Sequence, residues 1–552
     1  MANRTVELIE RWKGLQRSRG MWPHTWEDVA RVMAPRRLGF ITDVQPGERR
    51  TDELFDGTAM QAARMLANAV GWMLRPEGEP WLWLKTADDA DEGTDEARDW
   101  LADTENRLRD AFDDPRARFR HSAGEVDFDL VTLGTGVLFV GEIVGGGQLL
   151  FQSVWLKEAL PFFGETGNPE GMFRSRRLSL RQASARWGVE KLSEPSRLKI
   201  ADNKLDETAE FLYCVVPREE GRMGAKFARN MPVADIVIET EAKHEVFVSG
   251  FPEFPYIVPR WDTTTGEDYG HSPGMIALPD ANTSQAIGET MLIAGQRAAD
   301  PPILHPSDAF ISAPNTYPGG LAPYEADAVR DLGPNPIRTL EGNGNFPLGR
   351  EIQLDTREQI WNAFYRNVLR LPVQGPQMTA EEIIARKEEI IREVGPVFGR
   401  QESDYTAPMV ERAFKIMLRA GAFLPVPESL QGRSVRFEYE SPVKKMRQLI
   451  HQAAASAWVK EHIEAAVATG RPEILDPVNF NAYSRFSAKA KGIPHELINS
   501  EDEIKRIREE RQAAAEAANE MAMIQQGAAT AKDAGVAVKN IGEAAMAGEE
   551  AA

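Results

Sequence analysis

The chain has 552 residues, 42% of them hydrophobic, which is enough for several domains with real cores and too apolar for global disorder. Acidic residues number 84 against 65 basic ones, a net charge of −19, so tight general binding to nucleic-acid phosphates is disfavoured while weak or sliding contact is not. The single cysteine, Cys214, cannot close an internal disulfide and reads as a core thiol in a reducing cytosol; Met1-Ala2-Asn3-Arg4 opens no signal-like run, and no stretch of about 18 apolar residues occurs, so a soluble intracellular product is expected.

In chain order, residues 5–33 read as amphipathic helix interrupted at Gly20, with Leu8, Ile9, Trp12, Trp22, Trp26 and Val29 in helical steps. Asp56 to Leu74 reads as a buried, alanine-rich helix stopped by Pro76 to Pro80. Trp81-Leu82-Trp83-Leu84 predicts a short strand and Asp95 to Phe112 a helix. Leu130 to Val144 and Leu149 to Trp155, separated by Gly145-Gly146-Gly147, predict a hairpin. The glycine run lacks the lysine and following helix of a phosphate cradle, so it reads as a turn. Short alternating runs between 205 and 262 predict a mostly antiparallel β region.

Asp280 to Ala299 predicts a helix with small side chains, among them Ala286, Gly288, Ala294 and Gly295, ended by Pro301-Pro302. A compact irregular excursion over 301–349 precedes a second helix from about Asp355 to Arg370, carrying Ile360, Phe364 and Val368 on one face. An uncharged loop follows, Leu371, Pro372, Val373, Gln374, Gly375, Pro376, Gln377 and Met378. Thr379 and Glu382 then stand in capping-box spacing and start a helix reaching about Ala420, roughly 60 Å at helical rise. Gly395 and Pro396 should bend this rod without ending it, because Phe398, Val410, Phe414, Ile416 and Leu418 continue the apolar pattern. Val435 to Tyr439 predicts a strand, 443–469 and 477–490 helices, and Ser500 with Glu503 caps a charged, alanine-rich helix to about Gln525.

Motifs with catalytic or ligand chemistry are few. Gly270-His271-Ser272-Pro273-Gly274 matches the Gly-x-Ser-x-Gly nucleophile elbow, but Pro273 has no amide hydrogen to give an oxyanion hole, and no buried strand precedes it. A structural turn is the better reading. Eight scattered histidines show no metal-ligand spacing, and there is no Gly-x-x-x-x-Gly-Lys-Ser/Thr string, so no metal, nucleotide or other cofactor is expected. The arginines at 174, 176, 177 and 181, the cluster Lys444, Lys445 and Arg447, and the paired glutamates at 381–382 and 388–389 read as solvated surface.

Several strings in shared order resemble the head-to-tail connector, or portal, proteins of short-tailed bacteriophages (podoviruses). They are Phe55-Asp56-Gly57-Thr58-Ala59, Trp81-Leu82-Trp83-Leu84, Tyr269-Gly270-His271-Ser272-Pro273, Met378-Thr379-Ala380-Glu381-Glu382, and Gly492-Ile493-Pro494 leading into Ser500-Glu501-Asp502-Glu503. The resemblance covers most of the chain and implies an α+β, mainly helical portal-type fold without catalytic residues. Its implied parts are an N-terminal wing over 1–279, a first stem helix over 280–300, a clip over 301–349 and a second stem helix over 350–370. The tunnel loop follows at 371–378, wing with the long kinked helix at 379–442, a crown at 443–499 and a barrel-type helix and tail at 500–552.

The implied function is a ring, usually of twelve subunits, at one capsid vertex of the virion. Such a ring gives double-stranded DNA a channel for packaging and ejection, docks the terminase and then a tail adaptor, and meets the major capsid and scaffolding proteins. The uncharged tunnel loop then implies steric, weakly held contact with DNA. The rival readings are another capsid or scaffolding component, which would not need two helices flanking an excursion, and a serine hydrolase at Ser272.

Overall fold

The computed structural model describes residues 2–45, 47–77, 80–86, 95–143, 147–224, 227–299, 303–304, 338–339, 346–366, 392, 395, 399–431, 435–439, 442–491, 499 and 503–517. They fall into two compact units, Met1–Arg447 and Gln448–Ala552. The first is mixed α and β. It opens with helices α1 (Ala2–Ser18) and α2 (Trp22–Met33), divided where Gly20 takes a φ of +56° that L-residues resist. Helix α3 (Thr58–Leu74) buries Ala59, Ala62, Ala63, Leu66, Ala67 and Val70, and its alanines let neighbours approach closely.

The strand expected at the tryptophans is β1 (Leu82–Thr86), with Leu82 and Leu84 inward, followed by helix α4 (Asp95–Asp113). Helix α5 (Phe119–Leu133) departs from the sequence reading, which began an extended hairpin at Leu130. This helix is buried on most sides, so its polar and apolar residues give little amphipathic periodicity, and Gly134, at φ +79°, ends it. The hairpin itself forms from β2 (Leu138–Glu142) and β3 (Leu149–Ser153), with Leu138 opposite Ser153 and Glu142 opposite Leu149. Gly147 closes its turn at φ +64°.

A five-stranded antiparallel sheet comes next, in the order β4 (Ala159–Phe163), β5 (Pro169–Ser179), β6 (Thr208–Pro217), β7 (Val233–Glu239) and β8 (His244–Phe251). Helices α6 (Leu180–Trp187) and α7 (Glu194–Ala201) interrupt it between β5 and β6, and Ser179 with Gln182 makes a complete capping box for α6. One face packs under Leu8, Ile9 and Trp12 of α1, where Phe173, Leu212, Cys214 and Ile236 meet. Cys214 is wholly buried there, and burial pushes its thiol far above the ordinary range, so it is a core thiol. The short strand β9 (Tyr256–Ile257) joins β2.

Helices α8 (Pro273–Ala299) and α9 (Phe346–Ala363) pack on each other, flanking a two-residue pairing of β10 (Ile303–Leu304) with β11 (Arg338–Thr339). Both helices begin earlier than the sequence pattern indicated, at Pro273 and Phe346. Pro279 lies inside α8 without stopping it, so the proline was no boundary. Most of the 301–349 excursion and all of 371–378 lie outside the described residues, as do Pro396 and the start of the long helix at Thr379.

Residues 399–419 are helical and end at Arg419, close to the expected end. Within them Glu402–Thr406 forms a π-turn, closed by the Ala407 amide donating to the Glu402 carbonyl, before α10 (Ala407–Arg419) resumes. Pro408 explains the widening, since it has no amide for the Asp404 carbonyl and its ring crowds that position. Gly395 is helical; the distortion that the described residues show is at 402–406. Strand β12 (Val435–Tyr439) pairs antiparallel with β1, Leu82 opposite Tyr439, closing sequence ends over 350 residues apart. Helix α11 (Pro442–Thr469) starts before the second unit and continues into it; there it is joined to α12 (Phe480–Ala490) by a Gln452 to Ser487 hydrogen bond of 3.3 Å, and residues 503–517 are helical.

Candidate functional site: the paired helices and their anchor

Helix α8 starts from a cap that uses the catalytic-looking serine. Ser272 is fully buried; its Oγ accepts the Met275 amide at 3.0 Å and donates to the Thr132 carbonyl at 2.7 Å. Pro273 follows at the first helical position, where a missing amide costs nothing. The hydroxyl proton is therefore committed to a carbonyl, and His271 is turned to Glu267, with 2.5 Å between Nε2 and Oε2. Among the described residues no base addresses Ser272, and they give the hydrolase reading no geometry.

The rest of that string clamps the cap to the body of the unit. A Cβ on Gly270 would stand 2.4 Å from the Gly134 carbonyl oxygen, so only glycine permits the approach. The Gly270 amide donates to Thr135 Oγ at 2.9 Å and the Trp261 amide to the Gly134 carbonyl at 2.9 Å. Tyr269 packs edge-on to Trp26 at 5.0 Å between ring centroids. The start of α8 is thus fixed against α2 and the end of α5.

Eleven residues further on, a second tie joins α8, α9 and the start of α3 through Asp56, which is 5% exposed. One carboxylate oxygen accepts from the Thr58 amide at 2.9 Å and the Thr58 hydroxyl at 2.6 Å. The other accepts from the Ser284 hydroxyl of α8 and from Arg357 Nε of α9 at 2.9 Å. Burial alone would raise this acid; the hydrogen bonds from Ser284, Thr58 and Arg357 prevail and hold it at about 2. Gln285 completes the joint, its Oε1 accepting the amides of Phe55 at 2.7 Å and Asp56 at 2.9 Å.

Close packing accompanies the polar tie. A Cβ on Gly288 would lie 3.0 Å from the Phe55 Cβ, and one on Gly349 2.7 Å from the Met291 sulfur. Ile360 of α9 and Phe364, just past its end, turn into the main core. Along the same two helices Ile276, Leu292, Ile293, Leu348, Ile352 and Leu354 stay exposed, from 42% to 68%. Apolar side chains left exposed on an anchored pair are candidates for contact with another surface.

The sequence reading pointed to this pair of helices and to the strings at 55–59 and 269–273, without assigning Asp56, Ser284, Gln285 or Arg357 a role. Of the residues it singled out, Ser272 is the cap, Gly395 is helical, and Pro396 and Leu371 to Met378 lie outside the described residues. Among the described residues no cluster of histidine, cysteine, aspartate and glutamate could hold a metal ion, and no helix is long and apolar enough to cross a membrane.

The family described as bacteriophage head to tail connecting protein matches residues 5–498. A protein described as a probable portal protein of Bordetella phage BPP-1 is 26% identical over 96% of this chain and 95% of its own length. The portal protein of Salmonella phage epsilon15 is 26% identical over 95% of this chain and 94% of its own. A chain from the virion of a native gene transfer agent particle superposes over 74% of this chain and 90% of its own at 11% identity and a TM-score of 0.35, a likeness too low to fix the fold.

Proposed function

The chain belongs to the bacteriophage head-to-tail connecting protein family, and we propose that it works as the portal ring at one vertex of the capsid, the channel by which the genome enters and leaves. The match over residues 5–498 carries this reading, because it spans the anchored helix pair together with everything that anchors it.

In this reading α8 and α9 are the stem helices that line the ring, and 301–349 is the clip that meets first the terminase and then a tail adaptor. Residues 371–378 are the tunnel loop, 1–279 and 379–442 the wing, 443–499 the crown and 500–552 a barrel-type extension into the capsid. The ring, of twelve copies, is assembled in the host cytoplasm with scaffolding and major capsid proteins. The joint at Asp56 would transmit load between stem and wing, since one carboxylate holds three elements. An excess of 19 negative charges keeps DNA contacts weak enough for sliding.

Imaging the purified protein by electron microscopy tests the assembly: rings with a central hole are expected, and a lone compact particle at every concentration would overturn the reading. The loop is tested separately. Deleting residues 373–377 should impair packaging or retention of the filled genome; if both are unchanged, the loop does not contact DNA.

A further inference from the structure

The face of the five-stranded sheet opposite α1 carries two apolar clusters with a polar seam between them. At one end Met172 and Val215 pack with Tyr256 and Val258; at the other Leu178, Phe211 and Val237 pack with Trp187 of α6. Between them, cross-strand register aligns Arg174 with Tyr213, Val215 with Asp235, and Asp235 with Ser249. Partners directly opposite each other point to the same face, so Arg174, Arg176, Tyr213 and Asp235 share this seam. Helix α6 adds Arg186, whose guanidinium lies 5.6 Å from the Tyr213 ring centroid and 5.3 Å from that of Trp187.

These groups are incompletely satisfied. Arg174 is paired with Glu158 at 3.1 Å. Among the described residues, however, the side chains of Arg176 and Asp235 make no close ion pair or hydrogen bond, although the charge of Arg186 acts on Asp235, and the buried Tyr213 hydroxyl has no partner. Leaving a buried hydroxyl unpaired carries a desolvation cost that a solvated surface patch would not incur. In an acidic chain, two unpaired arginines facing a buried donor form a receptor for negative charge.

We propose that this seam binds one phosphate group that carries a hydroxyl, free or as a monoester, with Arg176, Arg186 and the Tyr213 hydroxyl donating to its oxygens and Asp235 accepting its proton-bearing oxygen. Asp235 supplies the selectivity: a phosphate monoester or inorganic phosphate offers it a hydrogen, whereas sulfate and phosphodiesters at neutral pH offer none. The DNA backbone is a diester, so this site is distinct from any channel contact. Burial raises the Asp235 carboxyl to about 6, which further favours a proton between it and a ligand oxygen. A bound phosphate would also fasten α6 to the sheet.

Calorimetric titration of the full chain in phosphate-free and sulfate-free buffer tests this, with inorganic phosphate, a simple phosphate monoester, dimethyl phosphate and sulfate as separate arms. Saturable binding of inorganic phosphate, of the monoester, or of both is expected, the arms showing which source is held, with sulfate and dimethyl phosphate weaker by about tenfold. Tyr213→Phe should weaken phosphate several-fold. Asp235→Asn, close in size and shape, should bring sulfate level with phosphate. No saturable phosphate binding in the millimolar range, or the same preference for phosphate over sulfate after Asp235→Asn in a folded variant, would overturn the proposal.

Discussion

Asp56 serves three elements with one carboxylate, so its removal leaves Ser284 and the Arg357 guanidinium without their acceptor at a site only 5% exposed. Asp56→Ala should therefore loosen the joint by about 2–4 kcal/mol, less than a fully enclosed ion pair because Arg357 can turn to water. Native-state hydrogen exchange at residues 55–58 and along α9 reads this directly; unchanged protection would mean that packing alone holds the joint. The same acid sets a pH dependence. Held at about 2, below its ordinary 3.8, Asp56 contributes stability that is complete above about pH 4 and lost as pH falls through 2. Asp129 has the opposite sense: burial outweighs Arg37 and raises it to about 6, so its effect on stability falls as pH rises from about 4 to 6. Acid should thus release the 55–58 segment before the contacts around Asp129, a sequence that exchange at pH 5, 4 and 3, corrected for intrinsic rates, would reveal. Little of this joint was legible in the chain. Asp56 lies more than 200 residues from Ser284 and Arg357, and a polar contact across that distance leaves no periodic trace. Ser272 was legible only as a structural turn; its place as the cap of α8 was missed because the helix was read from Asp280, although serine before a proline at the first helical position is a local signature.

Elements whose burial is one-sided announced themselves, and those buried all round did not. Helices α1, α2 and α4 show apolar stripes and were found, whereas α5 carries buried Asp127 and Asp129 beside Val126 and Leu130 and was read in part as strand. Strand β5 alternates apolar residues with Arg174 and Arg176, so its arginines looked like solvent-facing charge although two apolar clusters flank them. The π-turn at 402–406 depends on tertiary contact as well as on Pro408: Tyr405 is fully buried, and the guanidinium of Arg75, itself paired with Asp127, lies 4.7 Å from its ring centroid. Sequence could suggest a bend near a proline but not which turn would widen. The helix pair makes a sharper test. Gly288→Leu must push against the Cβ of Phe55, a position fixed by the Gln285 hydrogen bonds, and should cost about 1–3 kcal/mol of overpacking. Gly349→Ala meets only the end of the flexible Met291 side chain, so it should be near neutral or stabilising by up to about 1 kcal/mol through helix propensity. Thermal unfolding of the two variants side by side separates these outcomes, and equal destabilisation would show that the close approach of α8 to residue 55 is not constrained.

At the scale of the whole molecule, the apolar side chains left exposed on α8 and α9 offer the proposed ring a contact surface. Six large apolar side chains stand between 42% and 68% exposed on these two helices. Burying one such residue is worth about 1.5–3 kcal/mol when complete, so partial burial of several in each contact can support association despite net charge of the same sign on every copy. A closed ring amplifies a defect, because each substituted chain weakens the contacts on both its sides. The paired substitution Leu292→Glu with Ile352→Glu places two desolvation costs in each such contact while leaving the Asp56 joint and the inner face at Ile360 and Phe364 untouched. Native mass measurement should then find single chains where the parent protein forms rings, with the helical signal of the monomer retained. Rings that persist with both glutamates in place would show that these side chains face the channel or a different partner, and that neighbouring copies meet through another surface.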